Sequence, residues 1–351
     1  MSRAVTESDP GARAGALWEG GDAEDDAHDG AAPVVVAVDA GGTYFKSGLV
    51  EGTGVLAGTF VQHPVRSQGS REEILAAYAS VLSANLDAAR RRRLRVAGIG
   101  VSTPGPFDYR AGCSLMRHKF QAIRGLPLPP EMRRRVGLPP DLPFAFLYDC
   151  HAFLLGEHAA GAARGFRNAA AVTLGTGLGM SALADGRILH DGRFGPHPDY
   201  VIYNRPYGDA ILEERVSSRG ILRRYAELAG GGAENGSGEG GAGAIRGGVG
   251  GGVQGGVKEL ADRALAGDRL CLRVFAETAE VLADQLAPIL RRLEAECLLL
   301  GGQISKSFDL LGPPLKSRLQ PAGVGGVEVR RAESIDHASL LGVARHVLSR
   351  D

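Results

Sequence analysis

"VVVAVDAGGTYFKSGLV", residues 34–50, is the stretch on which the reading of this chain turns. A run of apolar, mostly β-branched residues ends on Asp39. Gly41, Gly42 and Thr43 follow at once, and Lys46 stands four residues after the second glycine. The apolar run predicts a buried strand. The glycines predict a tight turn, because glycine reaches backbone conformations closed to other residues. Two readings stand side by side at this point. One is a hairpin that carries an acid. The other is a phosphate cradle, in which successive N–H groups form an anion-binding concavity beside a metal-organising carboxylate.

The same arrangement recurs. Thr173-Leu-Gly175-Thr176-Gly177-Leu-Gly179 follows the apolar run of "NAAAVTL", and Gly301-Gly302 closes "CLLLGG". A second strand-ending acid, Asp149, closes "PFAFLYD" and leads directly into "CHAFLLGEHAAGAA", which reads as a helix. One glycine cluster is a weak signal. Three in order, with an aspartate between the first and second, form a pattern.

Around these points strands alternate with helices, which predicts an α/β protein. Residues 70–92 read as a helix opened by a capping box, with Ser70 as cap and Glu73 three residues on. "LRVAGIGVS" is a strand that breaks at "TPGPFD", where proline and glycine rule out helix and ladder alike. Residues 168–189 predict a hairpin around "GTGLG", residues 257–293 one long helix, and "HASLLGVARHVL" an amphipathic closing helix. Residues 1–32 are acidic and rich in Ala and Gly, which predicts a disordered tail. Fifteen of the 27 residues in 230–256 are glycine, which predicts a flexible insertion.

Composition narrows the function. The 351 residues hold 40 Lys and Arg against 40 Asp and Glu, so the formal net charge is zero. That argues against nucleic acid or an anionic membrane as the main partner. No apolar run approaches the roughly 20 residues needed to span a bilayer. The four cysteines, Cys113, Cys150, Cys271 and Cys297, form no CxxC pair. They predict reduced thiols and a cytoplasmic protein.

The ordered motifs resemble the actin, sugar kinase and Hsp70 superfamily, and within it the ROK family of repressors, open reading frames and kinases. The residues that carry the resemblance are "DAGGTYFK" (39–46), "GIGVSTPGPFDYRAG" (98–112), "YDCHAFLLGE" (148–157), "TLGTGLGMSALADGRI" (173–188) and "LLLGGQIS" (298–305). The resemblance implies two ribonuclease H-like domains flanking an interdomain nucleotide and sugar cleft. Residues 33–148, completed by 337–351, would form one domain and residues 149–336 the other. It implies an ATP- and Mg²⁺-dependent carbohydrate kinase. Gly41, Gly42 and Thr43 would hold phosphates from one side, Thr176 and Gly177 from the other, with Gly301 and Gly302 at the adenosine. Asp39 would orient a water on Mg²⁺. Lys46 would neutralise phosphate charge or point to solvent.

In the same reading Asp149 is the general base, although an aspartate at this place also suits the start of the helix near Cys150. Gly105, His197 and Glu213 would face the sugar, with the adjacent Glu214 as the alternative to Glu213 and two solvated helix charges as the plainer reading. A homodimer is a family-level expectation. Departures fall on the sugar side: Tyr148 stands where the family often has Asn, and Arg193 where a Glu-x-Gly-His clamp would place Glu. "VIYNRPYGDAILEE" has no cysteine where the family's zinc site would fall, so no zinc site is expected; His190, His197 and Asp199 lack regular ligand spacing. Two other functions fit the same motifs: a catalytically silent sugar-binding regulator, and an ATPase acting on a non-sugar acceptor.

Overall fold

Five apolar residues in succession bury both faces of a strand, and such a strand belongs inside a sheet. In the computed structural model, which describes residues 32–230, 253, 255–334 and 336–349, that is where it lies. The strands β1 (Val34–Ala40), β2 (Tyr44–Glu51), β3 (Gly54–Val55) and β4 (Val61–Pro64) precede helix α1 (Arg71–Arg91) and β5 (Val96–Thr103). The short pair β6 (Phe107–Asp108) and β7 (Cys113–Ser114) leads to α2 (Leu128–Val136), β8 (Phe144–Tyr148) and α3 (Asp149–Ala160). The sheet order is β3–β2–β1–β5–β8, with β4 also on β2. β1, β5 and β8 run parallel, while β2 turns back antiparallel on β1.

The second half repeats the plan. β9 (Ala169–Leu174) and β10 (Leu178–Ala184) form the hairpin, followed by β11 (Arg187–Ile188), β12 (Pro206–Tyr207), β13 (Ala210–Ile211), α4 (Leu212–Val216) and α5 (Ser218–Leu228). Then come α6 (Gly256–Leu265), α7 (Arg269–Leu293), β14 (Cys297–Gly301), α8 (Phe308–Leu319), β15 (Glu328–Arg331) and α9 (Ala338–Ser349). The order is β11–β10–β9–β14–β15, with β9, β14 and β15 parallel. Each half is thus an antiparallel hairpin extended by parallel strands, the ribonuclease H-like arrangement of the α/β class. Among the described residues no helix is long and apolar enough to cross a membrane.

Helix α3 packs on β9 and β10, α9 packs on β1, β5 and β8, and the two helices pack on each other. They join the halves, and they do so backbone to backbone. A Cβ at Gly342 would lie 1.7 Å from the Ala152 carbonyl oxygen, and one at Gly156 would lie 1.9 Å from that of Ala338. The buried Glu157 locks the same joint. Its Oε1 accepts from Ser334 N–H at 2.7 Å, and its Oε2 from Ala162 N–H at 2.8 Å and Glu333 N–H at 3.1 Å.

The capping box forms as expected: Ser70 Oγ accepts from Glu73 N–H at 3.2 Å and Glu73 Oε2 from Ser70 N–H at 2.8 Å. The long helix expected over 257–293 is two helices instead. Gly267 at φ +95° ends α6, and Asp268 Oδ1 accepts the first free N–H groups of α7 from Leu270 at 2.9 Å and Cys271 at 3.1 Å. A positive-φ glycine followed by a capping aspartate overrides a continuous apolar period. The expected tail and glycine-rich insertion fall almost wholly outside the described residues.

Candidate active site

Sheet register gathers the first group of residues. Asp39 on β1 is level with Ser102 on the parallel β5 and with Lys46 on the antiparallel β2. Residues level across a sheet present side chains to one face. Ser102 Oγ donates to Asp39 Oδ1 at 3.2 Å. Lys46 lies on Asp39's side of the sheet, and its Nζ pairs with Asp336 Oδ1 at 2.8 Å. Burial, then the charge of Asp149, pushes the Asp39 carboxyl up to about 6, while Lys46 and Ser102 pull the other way.

That rise makes the free site a store of instability. The folded protein holds the Asp39 proton up to about pH 6, whereas the unfolded chain gives it up near 3.8. Stability therefore falls as pH rises between those values. Asp39→Asn removes the buried charge and keeps an acceptor for Ser102. The ligand-free variant is expected to gain roughly 1–3 kcal/mol over wild type at pH 7.5 and nothing at pH 3.5. Equal stabilities at pH 7.5, read from denaturant melts, would show that Asp39 carries no such penalty.

Asp149 begins α3, where β8 ends beside β5, with Thr103 level with Tyr148. Its Oδ1 accepts from Cys150 N–H at 2.8 Å, so it serves the helix start. Burial raises its proton affinity, and backbone donation from Cys150 and the charge of Lys119 oppose the rise. The first glycine turn follows Asp39 directly and joins β1 to β2. A Cβ on Gly41 would come within 2.8 Å of the Tyr44 carbonyl oxygen. Val65 N–H holds the Thr43 carbonyl at 2.9 Å.

The second glycine turn connects β9 to β10, and α3 is locked against it. Cys150 Sγ lies 3.4 Å from Thr173 Oγ1, and a Cβ on Gly179 would meet that sulfur at 2.3 Å. Only glycine admits this approach. Glu213 also belongs to this turn: its Oε2 accepts from Leu178 N–H at 3.0 Å and stands 2.9 Å from a Cβ placed on Gly177. Glu214 is exposed, so of the two adjacent acids it is Glu213 that meets the hairpin. Gly301 on β14 is level with Thr173 on β9, which sets the third glycine pair beside the second. Gly302 has φ +78°, and a Cβ there would lie 2.3 Å from the Leu174 carbonyl oxygen. Asp39, Asp149, Gly41–Thr43, Thr176–Gly177 and Gly301–Gly302 thus lie at or just beyond the carboxyl ends of the parallel strands β1, β8, β9 and β14 of the two sheets.

Residues 35–350 match the ROK family over nearly the whole described chain. The chain belongs to the ROK family. It is 27% identical over 328 residues to a glucokinase of Thermotoga maritima, covering 90% of this chain and 98% of that protein. A beta-glucoside kinase of Klebsiella pneumoniae is 26% identical, over 77% of this chain and 82% of its own. A ROK family glucokinase from Streptomyces griseus, solved in complex with glucose and AMPPNP, superposes with a TM-score of 0.65 at 21% identity. That superposition covers 90% of this chain and 99% of the other.

The residues expected on the sugar side have a structural setting here. Tyr148 stands edge-on to His151, with ring centroids 5.1 Å apart, and its hydroxyl lies 3.6 Å from a Cβ placed on Gly179. His151, which no spacing rule singles out, is buried and bridges two elements. Its Nε2 is 3.1 Å from the Gly195 carbonyl oxygen and its Nδ1 is 2.7 Å from Ser181 Oγ. A carbonyl only accepts, so Nε2 carries the proton and Nδ1 accepts from the serine. Burial pushes the imidazole down to about 4, and it stays neutral near pH 7.

Through His151 the 191–197 loop is tied to α3. The loop is held further by Arg110, whose guanidinium donates to the Gly192 carbonyl at 2.8 Å. Asp191 Oδ1 accepts from the N–H groups of Arg193 at 2.7 Å and Gly195 at 3.0 Å. His197 uses Nδ1 to accept from Asp199 N–H at 3.2 Å, and His190 uses its own Nδ1 to accept from Gly192 N–H at 2.9 Å. Both histidines therefore shape the loop backbone. Gly105 lies against Tyr109, whose hydroxyl would be 3.4 Å from a Cβ on it.

Proposed function

We propose that this ROK protein transfers the γ-phosphoryl group of ATP to a hydroxyl of a hexose or related carbohydrate. The observation that carries the reading is the pair Asp39 and Asp149. Two buried acids, Asp39 with its proton affinity raised by burial and by the charge of Asp149, and Asp149 with its own raised by burial, stand at strand ends next to the glycine turns. Phosphoryl transfer needs positioning and charge stabilisation more than covalent help from the protein. The names of the related glucokinase and beta-glucoside kinase, and the glucose and AMPPNP of the Streptomyces griseus glucokinase, support the same assignment.

In this reading the N–H groups of Gly41 and Gly42 and the hydroxyl of Thr43 hold the terminal phosphates. Thr176 and Gly177 hold them from the second hairpin, and Gly301 and Gly302 line the adenosine side. The residues present fit Mg²⁺. A carboxylate pushed up to about 6 by burial and a second acid is relieved by a cation, and hard oxygen donors with room for water suit this one. Asp39 would hold it through water, and Mg²⁺ when bound would neutralise charge on the phosphates. Asp149 accepts the proton of the attacking hydroxyl as the oxygen–phosphorus bond forms and ADP leaves. Glu213 and the 191–197 loop, braced by His151 and carrying His197, meet the acceptor's other hydroxyls. The protein would work in the cytoplasm, as a homodimer, on small molecules.

A panel of hexoses, amino sugars and β-glucosides with ATP and Mg²⁺, read by ADP release, tests this. At least one is expected to turn over at roughly 1–10³ s⁻¹. Absence of ADP release with every sugar in the panel, while one of them raises the melting temperature, would overturn the kinase reading in favour of a silent sugar-binding protein. Turnover only with a non-carbohydrate acceptor would overturn the substrate assignment.

A further inference from the structure

Lys46 is the lysine that the sequence places next to the first glycine turn, yet its ammonium is paired with Asp336 at 2.8 Å. A different lysine lies over the turn. A methyl in place of the Gly42 hydrogen would meet Lys119 Cδ and Cε at 3.2 Å and Nζ at 3.5 Å. The Lys119 charge also reaches Asp149, as its pull on that carboxyl shows. Among the described residues no carboxylate closes an ion pair with the Lys119 ammonium. One end of this side chain is therefore set where the phosphate turn and the acid at the start of α3 converge.

Its backbone is fixed for the purpose. Lys119 lies in the segment between β7 and α2, between two anchored neighbours. The Gln68 amide donates to the His118 carbonyl, and Phe120 N–H donates to the Ser67 carbonyl at 2.7 Å. Phe120 is 1% exposed, adopts φ +52° and packs against Phe45, with ring centroids 5.9 Å apart. Phe45 itself lies on β2, two residues after Thr43. The glycine turn and the lysine thus hang on one aromatic contact. These anchors fix the Lys119 backbone beside the turn, and the absent Gly42 side chain leaves room for its stem to cross there.

Resting on the nucleotide site proposed above, we propose that Lys119 is a catalytic residue that contacts the terminal phosphate of the nucleotide as it is transferred. An ammonium there offsets charge that grows on the phosphoryl oxygens, at a place that Lys46, paired with Asp336, does not fill in this structure. A contact with the terminal phosphate has a signature that a structural or acceptor-binding lysine lacks. It discriminates nucleoside triphosphate from diphosphate in the absence of acceptor.

Binding of Mg²⁺ADP and Mg²⁺AMPPNP to the full chain, measured by calorimetry for wild type, Lys119→Met and Lys119→Arg, reads this directly. In Lys119→Met the AMPPNP affinity is expected to fall by about tenfold or more with ADP affinity within about twofold. Turnover with the best sugar is expected to fall about 10²–10³-fold with acceptor KM little changed, and Lys119→Arg is expected to recover much of both. Melting temperatures near wild type confirm that the variants are folded. If Lys119→Met leaves the ratio of AMPPNP to ADP affinity unchanged, or raises only the acceptor KM, Lys119 is not a phosphate contact. If wild type binds neither nucleotide, the proposed function fails along with it.

Discussion

Asp149→Asn is expected to lower turnover by about 10²–10⁴-fold, the usual worth of a positioned general base. The substitution is nearly isosteric and keeps an oxygen for Cys150 N–H, so α3 keeps its start. Nucleotide affinity is expected to stay within roughly twofold, because the phosphate turns are untouched. Turnover must also follow the ionisation of the acids. Burial raises Asp149 above the ordinary carboxylate range, and Asp39 is pushed up to about 6. A base works only when deprotonated, so kcat/KM is expected to fall toward acid pH, beginning above the ordinary carboxylate range because burial raises Asp149. Full activity in Asp149→Asn would remove the base from Asp149.

Gly342→Ala is expected to give the largest loss of stability. The added methyl would stand 1.7 Å from the Ala152 carbonyl oxygen and 2.8 Å from the Gly156 nitrogen, both of them main-chain atoms of α3. Backbone has no rotamer into which to retreat, so α3 and α9 must separate. A cost of about 3 kcal/mol or more follows, at the upper end for overpacking. Activity falls with it, because α3 carries Asp149 at its first position. Gly54→Ala is the control, since nothing lies within 4 Å of a Cβ there. Equal melting temperatures for the two variants would mean that the helices are not in backbone contact.

Much of the site was legible because its determinants are local. An apolar strand, an acid at its end and glycines after it occupy adjacent positions, so Asp39, Gly41 and Gly42 could be placed from the order of residues. The same holds for the β9–β10 turn, for Gly301–Gly302 and for the Ser70–Glu73 cap. What was illegible depends on pairs far apart in the chain. His151 meets Gly195 across 44 residues, and Glu157 meets Ser334 across 177. A single histidine or glutamate inside a helix gives no sign of such a partner. The split between α6 and α7 is the opposite case. Its signal, Gly267-Asp268, is in the sequence, but an apolar period running through it masked the break.

The two lysines mark the division most clearly. By itself the sequence determined the α/β class, the repeated strand-and-glycine order and the carboxylates at strand ends, because backbone conformation and burial pattern are set by near neighbours. It also brought Lys46 forward, since Lys46 shares the stretch 34–50 with Asp39. Only the tertiary structure decided where the charges lie. Antiparallel pairing sets Lys46 level with Asp39, and the chain before α9 then supplies Asp336 to hold it. Lys119, 77 positions after Gly42 in the sequence, is carried over that glycine by Phe120 packing on Phe45. Side-chain charge acts through space, and distance in space is fixed by sheet register and core packing rather than by position along the chain.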